Sequence, residues 1–374
     1  MNCCCMPLLE VSRAPALLGS ARLPLALVNP SRRRAIIIPI TVTRQVRPLS
    51  FTSSTPPPPV RRRTTMASGG TASSAAAAGS GAGAGADMPA MMYGTAWKKD
   101  QTADLVYEAI RTGFRGIDTA AMKRHYDEAL TGDGIRRAIT DGLVTRADLY
   151  IQTKFTPGDD AYADREQYPT IASQVRASVA SSLRNLSTAG DGDSSGDYLD
   201  CLVMHSPYAR DEDTLAAWAA LAELVPAGGV RALGISNVTL PVLEVLASNG
   251  NPPSAVQNRF RRAERAWDAD VRRWCAARGV AYQGFWTLTG NRAEWQTAPF
   301  VRHVADAAAV PLATAWYALL QAVGIVVLNG TTNPDHMRDD LAGLRAVAEW
   351  RAEPAGADVW ARSFAVFKQL IGME

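Results

Sequence analysis

Three ionisable residues, Asp118, Lys154 and His205, each stand at the end of an apolar segment that reads as a β-strand. Singly, the aspartate could cap a helix, the lysine could extend to the surface, and the histidine could be a turn residue. On consecutive strands they are better explained as one polar centre, in which lysine and aspartate must pair because an unpaired buried charge costs several kcal/mol. Tyr126 lies in the loop after Asp118 and on its own is better explained as a packing aromatic. A nearby lysine cation would lower its pKa from about 10, which favours proton transfer.

A repeat of strand and helix is needed to position these residues. Eight segments with the length and apolar content of strands follow residue 90: Met91–Ala96, Arg115–Thr119, Leu149–Phe155, Leu199–His205, Arg231–Asn237, Ala255–Arg259, Ala281–Leu288 and Ile325–Asn329. The helical patterns between and after them cover Thr102–Thr112, Glu128–Thr140, Ile171–Leu186, Leu215–Leu224, Leu240–Ala247, Asp268–Arg278, Leu312–Ala322, Asp335–Trp350 and Asp358–Ile371. Eight such units predict an α/β fold, a (β/α)8 TIM barrel over residues 88–374.

The competing fold is a doubly wound open sheet. That fold needs a glycine-rich turn after its first strand, and the segment from Tyr93 to Trp97 contains none. In a barrel, the carboxyl ends of the strands meet at one face, where the chemistry takes place. The barrel therefore brings Asp118, Lys154 and His205 together.

Five motifs in register resemble those of the aldo-keto reductases, with a similarity to a fungal-like branch of that family. They are Gly113–Ala120, Ile151–Lys154, Tyr198–His205, Leu233–Asn237 and Val256–Arg259. The resemblance implies an NAD(P)H-dependent oxidoreductase that reduces an aldehyde, ketone or sugar carbonyl by hydride transfer. It also implies a catalytic tetrad, with Tyr126 as the general acid beside Asp118, Lys154 and His205. The alternative is a nucleotide-binding regulatory or inactive barrel of the same family.

The same resemblance implies the binding residues. Those expected for the cofactor, NADP with NAD possible, are Gly94, Thr95, Asp118, Ser236, Asn237, Gln257, Phe285, Leu288, Asn329 and Thr331. Those expected for the small-molecule carbonyl substrate are Trp97, Tyr126, His205 and Trp286. We expect a monomer or a weak oligomer.

The sequence departs from the family pattern at the proton donor. The usual tyrosine follows the aspartate by five residues, and Lys123 occupies that position here. Tyr126, three residues further along, takes the role, with His125 as the reserve acid.

Two further departures concern the cofactor. The lysine that grips the 2′-phosphate is replaced by Asn329 or Gly330, and this weakens the expected preference for NADP; Arg338 could substitute. The aromatic residue that stacks on the nicotinamide is Phe285, with Trp286 as the alternative, because neighbours on a strand face opposite ways.

Other classes of function are poorly supported. None of the four histidines has a second His or Cys at ligand spacing, so we expect no metal. The longest mostly apolar N-terminal stretch, Ala35–Val42, is far shorter than the roughly 20 residues of a membrane span. The arginine runs at 32–34 and 61–63 lack interleaved aromatics, so we expect no nucleic-acid partner.

The N-terminal part of the chain differs in composition from the rest. Residues 1–86 hold ten arginines, no lysine and one acidic residue, whereas 87–374 hold 29 basic and 35 acidic residues. Residues 1–63 read as a transit peptide or a disordered extension, and residues 64–87 as an Ala/Gly/Ser linker. A transit peptide would direct the protein to mitochondria or plastids. Without one, or with initiation at Met66, a cytoplasmic location is expected.

Overall fold

Eight parallel strands form a closed barrel. The computed structural model describes residues 88–373, apart from 160, 162, 163, 165 and 189–197. The predicted extension and linker therefore lie outside the described residues. The strands pair in chain order, and the first also pairs with the last. They are β1 Met91–Gly94, β2 Gly116–Asp118, β3 Tyr150–Phe155, β4 Cys201–Met204, β5 Leu233–Ser236, β6 Ala255–Arg259, β7 Ala281–Phe285 and β8 Ile325–Asn329. The predicted (β/α)8 barrel is confirmed.

Helices follow the strands, as the repeat predicts. The described part of the chain contains α1 Thr102–Thr112, α2 Glu128–Thr140, α3 Ile171–Leu186, α4 Asp211–Ala222, α5 Leu240–Ser248, α6 Arg265–Ala276, α7 Arg292–Thr297, α8 Pro299–Ala308, α9 Leu312–Ala322, α10 Pro334–Trp350 and α11 Pro354–Leu370. Local sequence fixes two starts that matter for the site. The Asp127 side chain caps α2 by accepting from the Leu130 amide, and Asn333 caps α10 with Pro334 in its first turn.

The sequence prediction was wrong around β7. The strand was expected to run to Leu288, but it ends at Phe285 because Trp286 adopts a left-handed φ of 59°. The segment after β7 forms a 3₁₀ turn over Thr289–Asn291 and then α7, and neither was among the predicted elements. Helix α8 was not predicted. The apolar residues of α8 pack on α9 and α11, and these tertiary contacts stabilise the helix.

Side chains fill the barrel interior in layers. The floor is apolar and includes Met92, Tyr150, Cys201, Val203 and Ala255. Residues two positions further along the same strands point to the same interior. The next layer contains the polar side chains Gln152, Gln257 and Gln283, and the strand ends above it form the mouth of the barrel.

Two absences hold within the described ranges. No helix there combines the length and apolarity needed to cross a membrane. No group of three or more His, Cys, Asp or Glu side chains there could hold a metal ion.

Candidate active site

A buried ion pair stands at the centre of the barrel mouth. Lys154 on β3 and Asp118 at the end of β2 are 1% and 2% exposed, and the Lys154 Nζ donates to Asp118 Oδ2 over 2.7 Å. The ammonium also donates to the Thr119 carbonyl over 2.7 Å. The pairing that the sequence required is therefore present. Each side chain supplies a partner of opposite charge to the other in a region from which water is excluded.

Three buried glutamines support Asp118. Gln152 and Gln257 donate to its other oxygen, Oδ1, over 2.7 and 3.0 Å. Both also donate to Gln283 Oε1 over 2.8 Å, and the Gln283 amide donates back to Gln152. This amide layer leaves Oδ2 facing Lys154. Sequence reasoning missed Gln152 and Gln283, although strand alternation signals both, since Gln152 lies two residues before Lys154 and Gln283 two before Phe285.

Tyr126 lies beside the ion pair despite its unusual spacing. Its ring centroid is 5.1 Å from the Lys154 Nζ and 5.9 Å from the His205 ring, which it meets edge-on. None of the described residues hydrogen-bonds to its hydroxyl, which leaves that group for a ligand. Burial raises the Tyr126 pKa, and this effect is larger than the lowering by Lys154. The expected net lowering of the tyrosine pKa is therefore wrong for the ligand-free protein.

His205 follows β4 and faces the same mouth. Its Nδ1 lies 2.9 Å from the Thr156 hydroxyl. Burial and the Lys154 charge lower the pKa of His205 to about 3, so its imidazole is neutral at physiological pH. When the Thr156 hydroxyl donates to Nδ1, Nε2 carries the proton and is a hydrogen-bond donor. Thr156 was not among the predicted residues.

The loop after β5 carries an unsatisfied acceptor. Asn237 has a left-handed φ of 53°, and its amide donates to the His205 carbonyl over 2.9 Å and to Ser236 Oγ over 3.2 Å. Its Oδ1 is buried without a partner among the described residues. A buried acceptor of this kind suits the N–H groups of a carboxamide, as in nicotinamide. The residues here, with Gln257 beside them, therefore fit the predicted cofactor.

The junction of β1 and β8 is suited to an anion. The buried Lys98 ammonium donates to the Gly330 carbonyl, and burial lowers the pKa of Lys98 to about 8. Tyr93 Oη donates to the Thr331 carbonyl over 3.0 Å and fixes the same loop. The loop leads into the N-terminus of α10, where amide groups and the helix dipole favour negative charge. Lys98 is a further residue that sequence reasoning missed.

The buried Asn329 side chain joins this loop to α10. It is 1% exposed, and its amide donates to Asp340 Oδ2 over 2.8 Å while its Oδ1 accepts from the Thr331 amide. Arg338, expected as a substitute cation, pairs with the exposed Asp335. Asn329 therefore shapes the loop, and the cation beside Gly330 is Lys98, whose Nζ lies 3.9 Å from where a Cβ at that glycine would be.

Gly94 and Thr95 connect β1 to the centre. Gly94 ends β1 opposite Asp118 in the strand register. The Thr95 amide donates to the Asp118 carbonyl over 2.9 Å, and its hydroxyl donates to Thr119 over 2.9 Å. Thr95 is fully buried, so its side chain supports the loop that carries the ion pair.

The aromatic candidates divide between the interior and the rim. Phe285 has the same strand parity as the interior Gln283, so it points into the mouth, whereas Trp286 is 49% exposed after the strand ends. Leu288 is half-buried beyond it. Trp97 is 59% exposed and packs on the His125 ring at 4.0 Å. The fold thus favours Phe285 for stacking and leaves both tryptophans at the entrance.

Comparisons with known proteins agree with this geometry. Residues 85–347 match the model of the aldo/keto reductase family. The chain is 25% identical over 245 residues to an uncharacterised oxidoreductase of Schizosaccharomyces pombe, covering 65% of this chain and 78% of that protein. It is 32% identical over 186 residues to an NAD(P)H-dependent D-xylose reductase of Pachysolen tannophilus, covering 43% and 52%. It is 25% identical over 285 residues to an NADP(+) glycerol 2-dehydrogenase of Saccharomyces cerevisiae, covering 68% and 82%.

Solved structures share the fold. A Bombyx mori aldo-keto reductase in complex with NADP superposes with a TM-score of 0.53 at 21% identity, covering 70% of this chain and 89% of that one. At this identity the likeness supports the barrel alone, and the family assignment rests on the sequence match over most of the described residues. The chain belongs to the aldo/keto reductase family of oxidoreductases.

Proposed function

We propose that the protein reduces the carbonyl group of an aldehyde, ketone or sugar to an alcohol, with NADPH as the cofactor and NADH as the second choice. The observation that supports this most directly is the buried Lys154–Asp118 pair, with Tyr126 and His205 beside it. Relatives described as NAD(P)H- or NADP-dependent reductases and dehydrogenases support the choice of cofactor.

The chain's own residues would stabilise charge on the carbonyl oxygen. NADPH, when bound, supplies the hydride. The oxygen that gains negative charge then needs a proton and hydrogen-bond donors. The free hydroxyl of Tyr126 would donate the proton, and the neutral imidazole of His205 would donate a hydrogen bond from Nε2. Lys154 would stabilise the tyrosinate that forms, while Asp118 and the amide layer keep the ammonium in place.

The residues that would hold the cofactor lie on two sides of the mouth. Asn237 Oδ1, with Ser236 and Gln257 beside it, would bind the carboxamide, and Phe285 would pack on the ring. The phosphate groups would lie near Lys98 and Thr331, at the N-terminus of α10.

The test is oxidation of NADPH and NADH by the full chain, followed by absorbance, with a panel of aldehydes, ketones and sugars. We expect turnover with NADPH on several of them. Lys154→Met should abolish turnover, and circular dichroism would check that the barrel remains folded although Asp118 has lost its partner. Binding of NADPH without turnover on any substrate would favour a regulatory or inactive nucleotide-binding barrel instead.

For location, we propose that residues 1–63 direct the protein to mitochondria or plastids. Their arginine-rich, acid-poor composition supports this. A fluorescent protein fused to this segment should enter one of these organelles. Diffuse cytosolic fluorescence would contradict the proposal.

A further inference from the structure

One arginine at the barrel mouth has no anionic partner. Arg259 is the last residue of β6 and is half-buried. Its side chain makes no hydrogen bond or ion pair with any residue in the described ranges. The neighbouring Arg261, by contrast, pairs with Glu264 over 2.7 Å. A guanidinium carries five N–H donors, so Arg259 presents unused donors at the entrance.

Strand register places this guanidinium at the barrel mouth, beside Phe285 and Trp286. Gln257 and Gln283 pair across β6 and β7, and their side chains hydrogen-bond inside the barrel. Arg259 and Phe285 are the next register pair with the same parity, so they form the layer directly above. The Arg259 Cζ lies 5.5 Å from the Phe285 ring centroid and 5.1 Å from that of Trp286. Two aromatic rings therefore hold the cation at the mouth.

The cofactor phosphates do not account for Arg259. The groups suited to those phosphates, Lys98 and the loop at Gly330, lie where β8 meets β1. Arg259 is on β6, and β7 and β8 lie between it and that junction. We therefore expect the anion that pairs with Arg259 to belong to the substrate.

We propose that the preferred substrate is a carbonyl compound that carries a carboxylate, and that Arg259 binds this carboxylate. This inference rests on the proposed carbonyl reduction. A planar guanidinium pairs with carboxylate through two parallel hydrogen bonds. Arg261 also lies near Trp286, at 5.6 Å, but Glu264 neutralises it, so Arg259 is the uncompensated guanidinium of this pair. A single charge suits a monoanion better than a phosphate dianion.

Matched substrates test the proposal in the full chain. We would compare 4-carboxybenzaldehyde with its neutral methyl ester, and glyceraldehyde with glyceraldehyde 3-phosphate. The wild type should prefer the carboxylate over its ester. Arg259→Gln should lower kcat/KM for the carboxylate by about 10- to 100-fold, the range for a charge-assisted hydrogen bond, and leave the ester within about twofold. Arg259→Lys should recover part of the loss.

Arg261→Gln is the control, because its guanidinium already has a carboxylate partner. It should leave the carboxylate-to-ester ratio unchanged. Three results would overturn the proposal: equal use of acid and ester by the wild type, a preference for the phosphate ester over the carboxylate, or an Arg259→Gln variant that weakens NADPH binding and affects both substrates equally.

A binding measurement separates this proposal from the proposed function. Calorimetry with benzoate and benzamide on the NADP-loaded full chain needs no turnover. Benzoate should bind the wild type and the Arg261→Gln variant with similar affinity, and should bind the Arg259→Gln variant about tenfold or more weakly. Benzamide should bind all three proteins with the same affinity. Arg259-dependent benzoate binding without any turnover would retain the anion site and refute the proposed reaction. Equal benzoate affinity of the wild type and the Arg259→Gln variant would refute the anion site itself.

Discussion

Removal of one oxygen from Tyr126 tests the assignment of the proton donor. Tyr126→Phe keeps the ring that lies 5.9 Å from His205 and 5.1 Å from the Lys154 ammonium. The lost hydroxyl makes no hydrogen bond with a described residue, so we expect the free energy of unfolding to change by less than about 1 kcal/mol. The affinity for NADPH should also be nearly unchanged. A general acid contributes about 10²–10⁴-fold, so kcat should fall by that factor, or about 3–5 kcal/mol of transition-state stabilisation.

The assay is single-turnover or steady-state oxidation of saturating NADPH with the best aldehyde of the panel. Because burial raises the Tyr126 pKa, its hydroxyl stays protonated at neutral pH, and wild-type kcat should not fall between pH 6 and 8.

His125→Gln is the matched control in the same loop. The His125 ring packs on the exposed Trp97, and burial lowers its pKa, so its loss should cost much less. An active Tyr126→Phe enzyme together with an inactive His125→Gln enzyme would show that the imidazole donates the proton and would refute our assignment.

Three further predictions concern the cofactor and the scaffold. Lys98→Met should weaken NADPH binding by about 10-fold or more in fluorescence titrations. The affinity of the wild type for NADPH should fall as pH rises through the Lys98 pKa of about 8. An unchanged Kd in the variant would show that Lys98 does not bind the phosphate groups. Burial raises the pKa of Asp340 to about 6, so the folded state binds its proton more tightly than the unfolded state, and stability should fall by up to about 3 kcal/mol between pH 4 and 6. Asp340→Asn should remove this part of the pH dependence in urea unfolding, and an identical profile would contradict it. Asp200→Ala leaves the largely buried Arg146 without its carboxylate partner at the amino end of the barrel. The variant should therefore lose about 3 kcal/mol or more of stability without a change in kcat. A loss of kcat in the folded variant would contradict a purely structural role for Asp200.

Much of the centre could be predicted because it depends on strand ends. In a parallel barrel, all carboxyl ends meet at one face, so Asp118, Lys154 and His205 had to converge whatever the loop details. The Lys154–Asp118 pair followed from the cost of burying either charge alone. The period-2 alternation of β3 and β7 also predicts that Gln152 and Gln283 point into the barrel, on the same side as Lys154 and Phe285.

The loops could not be predicted in the same way. Which of Phe285 and Trp286 faces the barrel mouth depended on the left-handed φ of Trp286, which ends β7 at Phe285. No local sequence pattern predicts a left-handed φ at a tryptophan. Asn329 turns to Asp340, a partner eleven residues away on α10, so its role required the packing of that helix on the barrel.

The sequence by itself determined the barrel, the order of its strands and the residues at their carboxyl ends, because hydrophobic periodicity and chain order are local properties. The tertiary structure decided which charges are compensated. Among the described residues it left Arg259 without an anionic partner while giving one to Arg261, and it placed the Lys98 ammonium at the Gly330 carbonyl. It also decided the sign of the Tyr126 pKa shift, where burial outweighs the neighbouring cation. Each of these outcomes is a balance between desolvation and distances to groups far away in the chain, and only the folded arrangement fixes those distances.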